Sequence, residues 1–578
     1  MPFVRWDTNA TTAAPPESQQ LCSDSDEAWM LMASVLVLGM FPGVGFFEAG
    51  LLRAKTTTTV LAQVFCGLAM LSVMWFLFGY SLTFSPTTSN PFIGNFDNAL
   101  LLNVNFDDCA TNDKPISTGL YALFQLMFAC ITPLLMTGAY AERLAWVPFV
   151  IFTLLWEVLV YYPVAHWIWA PQGWLAKRGA LDFAGGIVIH TTAGVSSLVA
   201  VWMLGRRAGF EKRGGVFPYS SLVNASIGAA LLWTGWFGFN GGSALASNAS
   251  ASHAVANSQI GAVFAACSFM TVVLIMTRRP STIAILNGAI AGLAGVTPAS
   301  GYISAQAAMV LGVILGVSVE PAVHVLRHKL HIDDALDVSV VHGLTGVIGS
   351  LYIGFCATKG VFPGMKYEGL LYHGDGTLLG VQLLAVVVSG AWAGLWSFVI
   401  LYGIKYFMPL RITTDHEHAG MDVSVFRERS VHIDIDDDHL DRTLPDVPPE
   451  ALAGGAASQH SLAHSESLLP SIHGHLQRVS TARTHVGDDQ RASGVHGPPG
   501  ASSSSATILM DALASRDHGE DPLRPEEPGE VEVLLDDLRR SFAPSAVGTP
   551  QQHSFAPPDA TRFHPSSSTH HSPRQTEP

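Results

Sequence analysis

From Ala28 to about Met408 the sequence is a succession of apolar stretches, each near the roughly 20 residues a helix needs to cross a bilayer. Lipid offers backbone N–H and C=O groups no water, so only helices or a closed barrel can span it, and stretches of this length select helices. Composition agrees, since 49% of the 578 residues are hydrophobic and 13% charged, with a mean hydropathy of +0.32, too apolar for a soluble chain of this size. Hydropathy with turn and charge punctuation places eleven spans, near 29–52, 59–83, 118–139, 147–170, 184–205, 219–241, 256–277, 281–298, 303–325, 338–357 and 380–408. The expected fold is an all-α membrane protein with eleven transmembrane helices. Four segments follow: an extracellular piece over 1–27, the membrane domain over 28–408, a short cytoplasmic segment over 409–422, and a tail over 423–578.

Alternate loops between these spans hold eleven basic residues, Arg53, Lys55, Arg143 and the Arg206–Arg207 pair among them, against five on the other side. The richer side is cytoplasmic, which puts the N-terminus outside and the C-terminus inside. The sequons at Asn9 and Asn248 then lie outside, where glycosylation is possible, while the one at Asn224 falls within a helix. The first residues lack the apolar core of a cleavable signal peptide, so the first helix is expected to serve as its own targeting signal. Cys22 and Cys109 flank the first helix pair in polar loops and could form a disulfide if those loops are extracellular.

Two histidines, His190 and His342, sit in apolar surroundings, each after an aspartate, Asp182 and Asp337. An ionisable side chain at membrane depth is costly unless it faces a cavity or a partner. The histidines fall on the fifth and tenth spans, the last of each five-helix unit, and an odd number of helices per half inverts the second half relative to the first. At 1.5 Å per residue, His190 lies about 12 Å from the outer end of its helix and His342 about 7 to 8 Å from the inner end of its own. An inverted five-plus-five repeat with a final helix would bring the two imidazoles together. Both aspartates suit helix N-caps, a structural role. Elsewhere, Phe124 and Phe128 share a helix face, as do Phe239 and Ser243, and Trp169 ends the fourth span. Such aromatics serve as core or as an interfacial belt, or hold a small cation by cation–π attraction beside a hydroxyl.

The stretches DFAGG followed by His190, GWFGFNGGS (235–243), FACIT (128–132), GAYAER (138–143) and the Asp337…His342-Gly343 pattern together resemble the ammonium transporters of the Amt/Mep/Rh superfamily, on the Amt/Mep side. The resemblance covers about 28–422. It implies an eleven-helix protomer in a homotrimer of the plasma membrane, with one pore per protomer taking up ammonium or ammonia amid membrane lipid. By position, Trp169 and Ser243 match the residues that gather ammonium and Asp182 the supporting carboxylate. Phe128 and Phe239 match the gate, and His190 and His342 the pore histidines. Two departures stand out: Glu48, an acid where relatives commonly carry Tyr, and one extra residue between Trp169 and Asp182.

Gly420 and Asp422 resemble the family's cytoplasmic coupling motif, and Ser430 follows a basic stretch where phosphorylation would change the local charge. Beyond it, the acidic tail, rich in Ser, Pro and His, is too short of aromatics to build a core and reads as disordered, with one amphipathic island at Val531 to Phe542. A cytoplasmic regulatory protein or kinase is the partner such a tail would serve, while no nucleic-acid partner, cofactor or metal is implied. No nucleophile or metal set points to an enzyme. The rival reading is a sensor or transceptor that uses the same site to signal through the tail.

Overall fold

Small polar residues set the helix starts. Ser23, Ser117, Ser221, Asn248, Ser281 and Ser304 each turn a side-chain oxygen onto the amide three residues on, satisfying a donor that the first turn would leave orphaned. The computed structural model describes residues 22–86, 90–106, 109, 115–373 and 375–428. The sequon at Asn9, Ser430, the Val531 to Phe542 island and the tail from 429 lie outside the described residues.

Among those residues the fold is all-helical. In chain order the long helices of the bundle are α1 (Asp24–Leu51), α2 (Ala54–Phe84), α3 (Thr118–Tyr140), α4 (Trp146–Arg178), α5 (Gly186–Leu204), α6 (Leu222–Gly242), α7 (Ala249–Thr277), α8 (Thr282–Val296), α9 (Ala305–Lys329), α10 (Ser339–Cys356) and α11 (Thr377–Phe407). Ten are long and apolar enough to cross a membrane, and the chain is a multi-pass membrane protein. The exception is α8: its 15 residues reach about 22 Å at 1.5 Å each, short of the roughly 30 Å hydrocarbon layer. It was expected to run to 298 and stops at Val296, because Pro298 disfavours helix at the residue before it and the chain turns there.

Burial sorts the helices. Nearly all of α3 is enclosed, with Phe124, Phe128 and Ile131 buried in the interior. By contrast α9 and α11 turn Val310, Val317, Leu383 and Val387 outward, an apolar surface of the kind lipid covers. The crossing that matters most joins α5 and α10 through Gly194 and Gly343. A Cβ placed on Gly194 would lie 2.1 Å from the Gly343 Cα, so only glycine there lets the two backbones touch.

At one end of the bundle Cys22 and Cys109 are bonded, with Cα atoms 5.3 Å apart. At the opposite end lies a buried ionic cluster. Arg207 grips Asp333 through Nη2–Oδ1 at 2.8 Å and Nε–Oδ2 at 3.0 Å and reaches Glu142 at 3.1 Å. Glu142 also binds Arg53 at 2.8 Å, and Arg143 donates to the Asp333 carbonyl. The chain after α11 closes over this end. Ile412 N–H donates to the Arg143 carbonyl, Glu417 receives Arg411 Nη2 at 2.5 Å, and Asp422 accepts from Thr58 N, Thr59 N and Thr59 Oγ1 at the start of α2. Gly420, at φ +89°, sits against Lys55, where a Cβ would come within 2.5 Å.

Burial alone would raise the carboxyls of Glu142 and Asp333. The Arg53 and Arg207 guanidiniums beside Glu142, and those of Arg207 and Arg143 beside Asp333, overcome this and hold both below the ordinary range. Carboxyls depressed by folding contribute stability that is complete above their unfolded value and is lost as pH falls through the folded one. The contribution of this cluster to the melting temperature of detergent-solubilised protein is therefore expected to stay flat from pH 8 to about 5 and to disappear only below about pH 4. A scan of melting temperature against pH checks this, and a loss beginning near pH 6 would contradict it.

Candidate functional site

Both histidines lie in a π-helical turn that opens their helix, Gly186–Thr191 for His190 and Ser339–Leu344 for His342. One extra residue per turn widens the backbone spiral, a distortion frequent at functional sites, and aims each ring into the bundle. With Gly194 and Gly343 in contact behind them, the rings stack 5.2 Å apart at 18°, with Nδ1 3.3 Å from Nδ1. Both are buried. One hydrogen between the two Nδ1 atoms makes one neutral ring the Nδ1–H tautomer and the other the Nε2–H tautomer, so the pair presents one accepting and one donating Nε2. The His190 Nε2 has no protein partner.

Asp182 holds the first of these turns in place. Its carboxylate accepts from the amides of Gly185, Gly186, Ile187 and Val188 at 2.6 to 3.0 Å, four donors that the opening of a helix would otherwise leave bare. Asp337 works differently from the expected N-cap. It stands at φ 57° and pairs with Arg327 at 2.8 Å, while the capping carboxylate of α10 is Asp334, which accepts from Ser339 N at 2.7 Å and from the Ser339 hydroxyl. Sequence spacing favoured the nearer acid, and the left-handed turn at Asp337 moves its side chain away.

Toward the disulfide end, Phe239 lies 6.3 Å from the His190 ring and 4.4 Å from Phe128. Phe128 also meets Phe124 at 4.8 Å and Trp169 at 5.9 Å. Beyond the Phe128–Phe239 pair a cavity of about 330 Å³ opens, lined by Trp169, Ser243, Asp182, Gln125, Tyr302 and Phe183 among others. Trp169 Nε1 donates to the Asp182 carbonyl at 2.8 Å and the Ser243 hydroxyl to the Phe239 carbonyl at 2.8 Å, which leaves the Ser243 oxygen lone pairs as acceptors. On the other side of the Phe128–Phe239 pair is a cavity of about 30 Å³, lined by both imidazoles, Phe239, Trp236, Leu336, Val338, Val341 and Glu48 among others. A volume of that size admits one or two molecules as small as water.

Sequence reasoning missed three contributors. Trp236 stacks on His190 at 5.8 Å and 27° and donates to Thr297 Oγ1 at 2.9 Å; it lay inside a quoted stretch without being singled out. Gln125, whose buried Oε1 has no partner, belonged to α3 without an obvious polar neighbour. The Glu142–Arg207–Asp333 cluster read as loop charges that set orientation.

Stacked aromatics over a histidine pair, between two cavities, are carried by the same stretches that gave the family resemblance, and comparison with known proteins decides it. The Ammonium Transporter Family model matches residues 28–430. The chain belongs to this family. Curated relatives in the family include Ammonium transporter 1 of Dictyostelium discoideum, 53% identical over 405 residues that cover 70% of this chain and 86% of that one. Ammonium transporter Amt1 of Archaeoglobus fulgidus is 39% identical over 70% and 99% of the two chains. Among solved structures, Mep2 of Saccharomyces cerevisiae superposes with a TM-score of 0.63 at 32% identity, covering 68% of this chain and 89% of that one.

Proposed function

We propose that this chain is an ammonium transporter of the plasma membrane whose disulfide-bearing end faces outward. Its family membership supports the substrate, and one geometric observation carries the mechanism: the imidazoles of His190 and His342, Nδ1 to Nδ1 at 3.3 Å, line a narrow cavity that the Phe128–Phe239 pair separates from an aromatic one. Moving an ammonium-sized ion into low dielectric costs on the order of 20 kcal/mol before relaxation, and losing a proton removes most of that. Trp169 and Ser243 gather ammonium, the ring by cation–π attraction of about 0.5 to 2 kcal/mol and the hydroxyl by accepting an N–H. Beside the Phe128–Phe239 gate an N–H bond of the ion breaks and its proton goes to the accepting Nε2 of the histidine pair, which passes a proton across the Nδ1–Nδ1 contact and releases one from the other Nε2, while the ammonia formed enters. Potassium has no proton to give up and is excluded.

The family resemblance supports a homotrimer with one pore per protomer as the working form. The segment from 409 to 428, held by Asp422 on α2 and by Glu417 on Arg411, is the coupling element through which a cytoplasmic regulatory protein or kinase would act. Ammonium-evoked current in a heterologous membrane tests the reading. Wild type should carry current with ammonium and none with potassium. Ser243→Ala should raise the half-saturating ammonium concentration several-fold. Absence of both current and uptake would reject transport, and an unchanged half-saturation would remove Ser243 from the site.

A further inference from the structure

Of the two departures noted in the sequence, the acid at position 48 is the one whose surroundings give it a role. Glu48 lies on α1, is 4% exposed, and lines the small cavity below the gate together with Phe239, His190 and His342. Among the described residues no basic side chain pairs with it. Its Oε1 accepts the Gly138 amide at 3.0 Å, and a Cβ on residue 138 would meet that oxygen at 3.0 Å, so Gly138 admits the carboxyl to the backbone. Its Oε2 is 2.7 Å from Thr137 Oγ1, which is itself 2.5 Å from the Leu134 carbonyl. A threonine hydroxyl has a single hydrogen to donate, so one of those two short contacts must draw its hydrogen from elsewhere. When the hydroxyl donates to Leu134, the hydrogen between Thr137 and Glu48 belongs to Glu48. When Glu48 is ionised, the hydroxyl swings to donate to it. The same three oxygens therefore accommodate the carboxylic acid and the carboxylate by rotation of one hydroxyl.

We infer that Glu48 is the general acid that returns a proton to ammonia at the inner end of the pathway. The inference rests on the transport reading above. Ammonia leaving the histidine pair meets the Glu48 carboxyl: the O–H bond breaks, an N–H bond forms on the nitrogen lone pair, and an ammonium ion paired with a carboxylate results. Gly138 N–H and the turned Thr137 hydroxyl stabilise the carboxylate as it forms. Ammonium then departs toward the cytoplasm, and the proton handed along the histidine pair restores the acid. One positive charge crosses for each nitrogen, with no other reactant.

Glu48→Gln suits the test because glutamine reproduces the acid form. Its amide nitrogen can donate to Thr137 Oγ1 while its oxygen accepts from Gly138, so the fold is retained without an exchangeable proton. In proteoliposomes holding the full chain, charge movement and nitrogen uptake are measured in parallel, with melting temperature confirming that the variant is folded. Wild type should move one charge per nitrogen. Glu48→Gln should lose at least tenfold in current while nitrogen uptake falls much less, so the charge-to-nitrogen ratio collapses, and Glu48→Asp should restore part of the current. An unchanged ratio, whether both fluxes persist or both fall in proportion, overturns the role. Wild-type protein that moves neither nitrogen nor charge fails the transport reading instead, so the two failures are distinguishable.

Discussion

Replacing both His190 and His342 with alanine is expected to reduce ammonium-evoked current to the background of empty membranes, a loss of at least a hundredfold. Two effects combine. The substitution removes the stacked donor–acceptor pair that lines the small cavity below the gate. It also leaves a wider gap between the gate and Glu48, in which a proton has no carrier. Each single variant keeps one imidazole and so one possible carrier, and should lose less than the double variant. Current and isotope-labelled uptake, measured side by side, check this. An undiminished current in the double variant, with potassium still excluded, would show that the proton travels by another route.

The second large effect concerns the fold. Arg207→Ala is expected to cost about 3 to 5 kcal/mol, because removing one partner from a buried ion pair strands the charge that remains. Here two almost fully buried carboxylates lose a partner at once, leaving Glu142 with Arg53 alone and Asp333 with only the more distant Arg143 guanidinium at 3.8 Å. The variant should reach the membrane at much reduced levels and melt well below wild type. Arg207→Lys keeps the charge but cannot grip Asp333 through a rigid fork, and should fall between them. Equal melting temperatures for all three proteins would show that solvent reaches this cluster.

Much of this architecture could be read from the chain. Helix count and order follow from the length of the apolar runs and from the Ser and Asn residues that start them, features local enough to need no tertiary knowledge. The two histidines were legible as a pair because polarity inside an apolar run is conspicuous and their depths are opposed. What escaped notice depends on events that sequence patterns do not record. The π turns at His190 and His342 arise from one added residue in the hydrogen-bond ladder, with no residue type that signals it. The exchange of capping duty from Asp337 to Asp334 depends on a single left-handed residue. The Glu142–Arg207–Asp333 cluster joins three loops far apart in the chain, whose charges look identical to solvated ones until the loops meet. Glu48 was visible as an oddity, but its partners Thr137 and Gly138 stand about ninety positions away.

The contact of Gly194 with Gly343 bears on how such a protein can be controlled. Main chain against main chain leaves no side chain to yield, so the glycine contact sets the spacing of α5 and α10 and with it the 5.2 Å between the two imidazoles. In the proposed transport pathway, a waist held by backbone contact assigns control to the rims, and the rim nearest the ionic cluster is the one covered by residues 409–428, anchored at Asp422 and Glu417.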